Sequence, residues 1–443
     1  MQERALARRL TLAPAVALVV GQVIAVGIFL TPGTMLRTLA SPAWVLGVWI
    51  VMGTMAICGA LCYGALAARF PRAGGGYVYL REAYGPRVAF LYGWKCLLIM
   101  DPGITAALAT GAAAYVAYIV PLGPAGTRLV AIAAILLFAI VHIVGVGPGS
   151  RVLTTLAVLK VLLIGSLIAL AIGNRAGGWQ HFVPFVGRRT GAPPLAGALA
   201  GAFVAAFFSF GGWWEVTKIA GEVRDPERTL PRALWLGLTA VTVVYISATL
   251  AFIYTIPIDQ IASGDAFVAQ VGSALLGSAG GNAVALVVIV CVLASLGATL
   301  MFAPRLYFAM AQDGLFPTAA AAVHDRFGTP ARAIALQAGL ASVFVLLGTF
   351  DTIVAYFVFI TVVFIALTVA SVFVIGRDAA FPVPGHPWTA IVFLVMVGAL
   401  LVLLVANNPM QAALGAAVVA TGLPVYGVVT RARPAVRLKE TSA

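Results

Sequence analysis

A series of long apolar runs constrains the fold of this chain more than any other feature of the sequence. Each run is about 20 residues long, which is the length of helix that crosses the hydrocarbon core of a bilayer. The chain is 62% hydrophobic and only 9% charged, whereas a soluble globular domain carries about 25% charged residues. The sequence therefore predicts an all-α polytopic membrane protein with twelve transmembrane helices, spans 1 to 12, at about 14–36, 43–68, 88–119, 126–145, 150–172, 196–221, 232–257, 281–311, 330–350, 354–376, 388–406 and 409–430.

The net charge of +13 has a topological explanation, so it does not require a nucleic-acid partner. With the N-terminus in the cytoplasm, 20 of the 27 Lys and Arg residues fall on cytoplasmic ends and loops, five fall outside, and Lys95 and Lys160 fall within spans. Lys and Arg concentrate on cytoplasmic loops in membrane proteins. We therefore predict a multi-pass protein of the cell membrane with both termini in the cytoplasm.

Spans 1 and 6 are each interrupted near the middle. Span 1 contains "GQVIAVGIFLTPG" (21–33), and span 6 contains "FFSFGGWWEV" (207–216) with Gly211 and Gly212 adjacent. The two spans are five apart, so each opens a five-span repeat, and the odd number gives the repeats opposite topology. Interrupted helices at matching positions of inverted repeats indicate a transporter binding site. The alternative is that these glycines only allow close helix packing.

The broken ends predict a ligand as well as a site. The outer half of span 1 restarts near Gly27 and presents free N–H groups at the positive end of its dipole. The first half of span 6 ends near residues 208–210 and presents unpaired carbonyls to the same gap. Donors for an anion thus face acceptors for a cation, which is the arrangement that an α-amino acid zwitterion requires.

Several longer stretches carry a resemblance to a known family. These are "CYGALAARFPRAGGGYVYLREAYGPRVAFLYGW" (62–94), "FFSFGGWWEVTKIAGEVRDPERTLPRAL" (207–234), "APRLYFAMAQDGLFP" (303–317) and "HDRFGTPARAI" (324–334). Together with span 1 they resemble the amino acid–polyamine–organocation superfamily, close to its L-type amino acid transporter branch. The resemblance covers about residues 10–430.

The resemblance implies a LeuT-type fold, in which two inverted five-helix repeats have discontinuous helices 1 and 6 and two extra helices follow. The repeats would span about 14–172 and 196–376, and the extra helices about 388–430. Residues 1–430 would then form a single transmembrane transporter domain, and 431–443 a cytoplasmic tail.

The expected substrate-binding residues lie around the two breaks and on span 3. Where the family usually has Gly-Ser-Gly, this chain has Ala25, Val26 and Gly27, which removes a serine hydroxyl but leaves the backbone N–H groups. Phe208 resembles the aromatic gate of the family. The predicted set is Gln22, Val23, Ala25, Val26, Gly27, Ile28, Met100, Phe208, Ser209, Phe210 and Gly211.

Ionisable residues inside membrane spans are costly and are candidates for function. Lys160 occupies the place where related L-type carriers have a lysine and sodium-coupled relatives hold sodium, so we predict a coupling role for it, with Ser295 and Asp101. Asp101 would meet a cationic substrate or pair with Lys95 or another helix. We expect Lys95 to extend its ammonium toward the membrane surface, and Glu215 to be either structural or exposed to the inner vestibule.

The predicted function is sodium-independent transport or exchange of amino acids, most readily neutral ones, by alternating access. The alternatives are a cationic amino acid or polyamine antiporter, a proton-coupled amino acid symporter, and a non-transporting receptor or accessory subunit. We predict no enzymatic activity, no cofactor and no metal site, because the four cysteines lie in apolar spans without neighbouring His or carboxylate ligands. The expected partners are the amino acid and the bilayer, and the sequence gives no oligomeric state.

Overall fold

The computed structural model describes residues 10–72, 74–144, 149–173, 177–262, 266–317, 324, 329–348, 350–376, 383–407 and 409–431. The predicted cytoplasmic tail, apart from Arg431, lies outside the described residues. Regular structure within these ranges is helical, apart from an isolated parallel β-bridge between Leu10 and Val223.

The helices are named in chain order. They are α1 (Leu12–Val23), α2 (Gly27–Leu39), α3 (Pro42–Arg69), α4 (Gly76–Tyr84), α5 (Pro86–Lys95), α6 (Asp101–Ile119), α7 (Pro124–Val144), α8 (Gly149–Gly173), α9 (Leu195–Phe210), α10 (Pro226–Thr255), α11 (Phe267–Gln312), α12 (Ala331–Leu347), α13 (Phe350–Ile375), α14 (Trp388–Asn407) and α15 (Pro409–Arg431). A π-helical turn, Cys96–Met100, joins α5 to α6, and 3₁₀ helices occupy Trp179–Phe182, Trp213–Glu222 and Ile258–Gln260.

Among the described residues, nine helical segments are long and apolar enough to cross a membrane. Helices α1 and α2, which meet at an angle of 44°, count as a tenth span when taken together. Two shorter apolar helical segments, Val158–Gly173 and Ala331–Leu347, coincide with predicted spans 5 and 9. The chain is thus a multi-pass helical membrane protein, as predicted. The arrangement of twelve spans in inverted repeats stays a prediction.

The structure contains helices that the hydropathy pattern missed. The segment between spans 2 and 3 folds into α4, whose Tyr77 and Tyr79 are buried. Helix α11 begins at Phe267, well before the predicted start of span 8, and changes direction at Gly277, where φ is 73°. A glycine tolerates this left-handed conformation without a Cβ clash, so two helices can follow each other with no loop.

The helices pack as two groups. In the first, α10 packs along α3 and α1, while α2 packs against α9. In the second, α6 lies at the centre and contacts α7, α11 and α12. The broken spans belong to the first group, and each contacts the second: Val26 of span 1 packs against Gly111 of α6, and the 3₁₀ helix of span 6 packs against α11.

Candidate functional site

The backbone of span 1 opens between α1 and α2. Ile24 has ψ of 81°, and the Ala25 N–H donates to the Val23 carbonyl at 2.8 Å instead of to the Gly21 carbonyl. Within the described residues, the amides of Val26, Gly27 and Ile28 have no hydrogen-bond acceptor. Two of these amides begin α2, where the helix dipole also favours an anion.

Span 6 opens immediately after α9. Gly211 donates its N–H to the Phe208 carbonyl at 2.9 Å, and Gly212 has φ of 99°, a left-handed conformation that glycine adopts freely. The chain then continues as the 3₁₀ helix Trp213–Glu222. Among the described residues no N–H donates to the Gly211 carbonyl, so this group is a free acceptor at the break.

Gly27 and Ser209 bring the two breaks into direct contact. A Cβ built on Gly27 would lie 2.5 Å from the Ser209 Cα, so no larger residue fits without moving the backbone. The Thr31 hydroxyl lies 2.9 Å from the Ser209 hydroxyl and donates to the Gly27 carbonyl at 2.9 Å. Below the gap, Gly212 faces Gln22, because a Cβ on Gly212 would lie 3.0 Å from the Gln22 Cγ.

Tyr245 of α10 is a site residue that the sequence analysis missed. Its hydroxyl lies 2.9 Å from the Val23 carbonyl and 2.8 Å from the Ser209 carbonyl, so its single proton can be donated to the last turn of either half-helix. The phenol ring is buried against Trp49 and Phe210, with ring centroids 5.2 Å away in both cases. The sequence signal was a lone tyrosine in an apolar span, which is weak.

The remaining predicted binding residues divide between the gap and its surroundings. Val26 is buried, and its Cγ2 would lie 2.2 Å from a Cβ on Gly111, so the side chain packs against α6. Phe208 is buried in the last turn of α9. Met100 lies in the π-helical turn, with its sulfur 2.9 Å from the Lys95 ammonium.

Lys160 connects three helices. Its Nζ donates to the Gly21 carbonyl of α1 at 3.0 Å and to the Ser295 hydroxyl of α11 at 2.6 Å, and the residue is 3% exposed. The Gly21 carbonyl is available because the broken turn withdraws the Ala25 N–H from it. The ammonium thus supplies the donor that the Gly21 carbonyl lacks in the broken turn.

Asp101 pairs with groups on two other helices. Its Oδ2 accepts from the Tyr307 hydroxyl at 2.6 Å, and its Oδ1 lies 3.9 Å from the Lys218 Nζ, which is 2.6 Å from the Glu215 Oε2. Of the options left open by the sequence, the structure thus has Asp101 paired with other helices.

One prediction about the lysines was wrong, and the burial of a second lysine was not foreseen. Lys95 does not extend to the membrane surface, because it is fully buried with Nζ 4.7 Å from the Tyr92 ring centroid. Lys218, which the sequence analysis counted among the cytoplasmic charges, is 1% exposed. The missed signal was the i, i+3 spacing of Glu215 and Lys218 in one helix, which allows an ion pair.

Comparisons with known proteins cover almost the whole chain. The family model described as "Amino acid permease" matches residues 10–430. The serine/threonine exchanger SteT of Bacillus subtilis (strain 168) is 28% identical over 96% of this chain and 97% of its own length. The human large neutral amino acids transporter small subunit 2 is 30% identical, with coverage of 97% and 82%, and the mouse Asc-type amino acid transporter 1 is 28% identical, with 97% and 83%. The chain therefore belongs to the amino acid permease family.

Proposed function

We propose that this protein is a sodium-independent exchanger of neutral amino acids that works by alternating access around the two broken spans. The observation that carries the proposal is the position of the free amides of residues 26–28, directly beside the end of α9. The names of the relatives, among them a serine/threonine exchanger and a large neutral amino acids transporter, support the same substrate class.

In this proposal the substrate binds mainly through backbone groups. Its carboxylate accepts from the amides of Val26, Gly27 and Ile28, and its ammonium donates to the free Gly211 carbonyl. The Phe208 and Ser209 carbonyls already have donors, whereas no donor reaches the Phe210 carbonyl among the described residues. Of the three carbonyls that we expected on α9, Phe210 thus stays available beside Gly211. Phe208 remains the proposed gate over the bound substrate.

Lys160 would take the part of a bound sodium ion. A cation at this point holds α1 to α8 and α11, and a lysine ammonium does so permanently because it is part of the chain. Asp101 lies apart from this contact, so of the three predicted coupling residues we retain Lys160 and Ser295. Transport would then need no sodium gradient.

The proposed fold is the LeuT-type arrangement of two inverted five-span repeats followed by two additional helices. In it, α12 and Val158–Gly173 complete the twelve spans. The distribution of Lys and Arg supports termini in the cytoplasm, which puts α4 and the end of α11 on the cytoplasmic side.

The test is exchange in proteoliposomes. Vesicles loaded with unlabelled L-serine or L-leucine should take up the labelled amino acid, and empty vesicles should take up little. Replacing sodium by choline should leave the rate unchanged. Binding of these amino acids without any uptake would identify a receptor instead, and strict dependence on sodium or on a proton gradient would contradict the proposed coupling.

The cationic alternative has less support from the geometry. It would need Asp101 or Glu215 to be available to the substrate, yet Lys218 is within 4 Å of a carboxylate oxygen of each. Competition of serine exchange by L-arginine or putrescine as strong as competition by L-leucine would favour that alternative.

A further inference from the structure

Four charged side chains are buried together on the inner side of the gap. Lys95 precedes the π-helical turn and Asp101 follows it, while Glu215 and Lys218 lie on the 3₁₀ helix that continues span 6. Each is at most 5% exposed. Two are cations and two are anions, so with every group ionised the cluster has no net charge.

The cluster adjoins the proposed binding site. The Glu215 N–H donates to the carbonyl of Gly212, which faces Gln22 at the break. Glu215 Oε1 is buried and has no hydrogen-bond partner within the described part of the chain, whereas its Oε2 lies in an ion pair 2.6 Å from the Lys218 Nζ. A polar acceptor is thus unused one 3₁₀ turn from the gap.

Charge balance decides which side chains such a region tolerates. Two unit charges 4 Å apart interact by about 4 kcal/mol at an effective dielectric constant near 20, so an uncompensated carboxylate would attract a cationic substrate side chain strongly. A compensated carboxylate would not, and a cationic side chain would also approach Lys218. The arrangement favours side chains without charge.

We propose that Lys218 determines the charge selectivity of the transporter, because it compensates Asp101 and Glu215 and thereby excludes cationic amino acids. This inference rests on the proposed function and names the residue that restricts it to neutral substrates. The contact between Lys218 and Asp101 joins the 3₁₀ helix of span 6 to α6. The charge compensation therefore depends on helices of both groups.

The test uses one variant that unbalances the charge and one that does not. Lys218→Gln retains hydrogen-bonding capacity but leaves the cluster with an excess negative charge. Lys218→Gln combined with Glu215→Gln removes the same lysine and restores the balance. Lys218→Arg keeps the charge and should behave as the wild-type protein.

The ligands form a matched pair, since L-lysine is L-norleucine with a terminal ammonium. Dissociation constants are measured on the purified full chain by thermal stabilisation and by inhibition of exchange. The quantity compared is the ratio of the L-norleucine dissociation constant to the L-lysine dissociation constant. We expect this ratio to be at least about tenfold higher in Lys218→Gln than in the wild-type protein and in the balanced double variant. Equal L-lysine affinity in all three proteins, or equal gains in both variants, would overturn the proposal.

If Lys218→Gln does not fold, a second variant tests the proposal by giving the cluster an excess positive charge instead of a negative one. Asp101→Asn keeps the Glu215–Lys218 pair and leaves an excess positive charge, so it should gain affinity for L-2-aminoadipate relative to L-norleucine. A folded Asp101→Asn protein without that gain would contradict the inference. Exchange of neutral amino acids by the wild-type chain is measured in parallel, and its absence would contradict the proposed function, whereas the outcomes above concern the role of Lys218 alone.

Discussion

A single hydroxyl group, that of Tyr245, lies within 2.9 Å of a carbonyl at the end of each half-helix that borders the gap. Such carbonyls have no donor inside their own helix, and an unsatisfied buried acceptor costs about 1–3 kcal/mol. Val23 keeps a second partner in the Ala25 N–H, so Ser209 depends more on the tyrosine. The residue thus sets the relative position of both breaks.

We predict that Tyr245→Phe weakens substrate binding several-fold and lowers the free energy of unfolding by about 1–2 kcal/mol. The phenyl ring keeps the packing against Trp49 and Phe210, so the loss is that of the hydroxyl alone. Thermal unfolding and L-norleucine binding measure both effects. Tyr118→Phe, which removes a surface hydroxyl bonded to Ser273, is the control and should change neither. Equal behaviour of the two variants would mean that the bridge is not needed.

At the scale of helices, the two breaks were predictable because their causes are local. Gly21 and Gly27 flank the break of span 1 and lower its helix propensity, Gly27 also allows close approach, and Gly211–Gly212 allows a left-handed turn. The π-helical turn Cys96–Met100, helix α4 and the early start of α11 were not predicted. Their formation depends on neighbouring helices, for which hydropathy contains no signal.

The same contrast holds for the side chains of the site. Sequence placed Lys160 and Ser295 among the functional candidates because each is polar within an apolar span. It missed the burial of Lys218, since a lysine near the end of a span usually extends to the membrane surface. The ammonium lies within 4 Å of Glu215 on its own helix and of Asp101 on α6, and the Asp101 contact between helices is not visible in the sequence.

We predict that Lys160→Ala abolishes most of the exchange activity while the protein remains folded. The variant loses two hydrogen bonds from a charged donor, each worth about 1.5–3 kcal/mol, so the rate should fall at least tenfold. Exchange in proteoliposomes and elution of the monodisperse protein measure the two properties. Arg128→Ala, which removes an exposed charge on α7, should be as active as the wild-type protein. Full activity of Lys160→Ala would refute the coupling role.

At the scale of the whole molecule, a polar contact joins α4 to the end of α11 away from the gap. The Tyr77 hydroxyl of α4 donates to Asp313 Oδ2 at 2.7 Å, and Arg81 forms an ion pair with the same carboxylate at the end of α11. Helix α4 also packs against α5 and α13, so the contact connects α11 to these helices. In the proposed orientation it lies on the cytoplasmic side.

We predict that Asp313→Asn lowers the free energy of unfolding by about 1–2 kcal/mol, because the carboxylate that accepts from Tyr77 and pairs with Arg81 is lost. The loss is not larger because the side chains of Arg81 and Asp313 are partly exposed to solvent. Thermal unfolding in detergent measures the change. Asp259→Asn, in the exposed turn before α11, serves as the control, and Tyr77→Phe should give a smaller loss than Asp313→Asn. If Asp313→Asn and Asp259→Asn unfolded at the same temperature, the contact would contribute nothing to stability.

The open turn between α1 and α2 has a thermodynamic consequence for the whole transport cycle. If the helix closed, Ala25 N–H would take the Gly21 carbonyl from Lys160, and the amides of residues 26–28 would turn to carbonyls of their own helix. In the proposed site, the lysine and the substrate would stabilise the same open backbone, and by reciprocity each would strengthen the binding of the other by the same factor. A diffusible ion would provide this coupling only at sufficient concentration. The tethered ammonium would provide it at a fixed effective concentration, and we expect the affinity for substrate to be independent of which cations the surrounding medium contains.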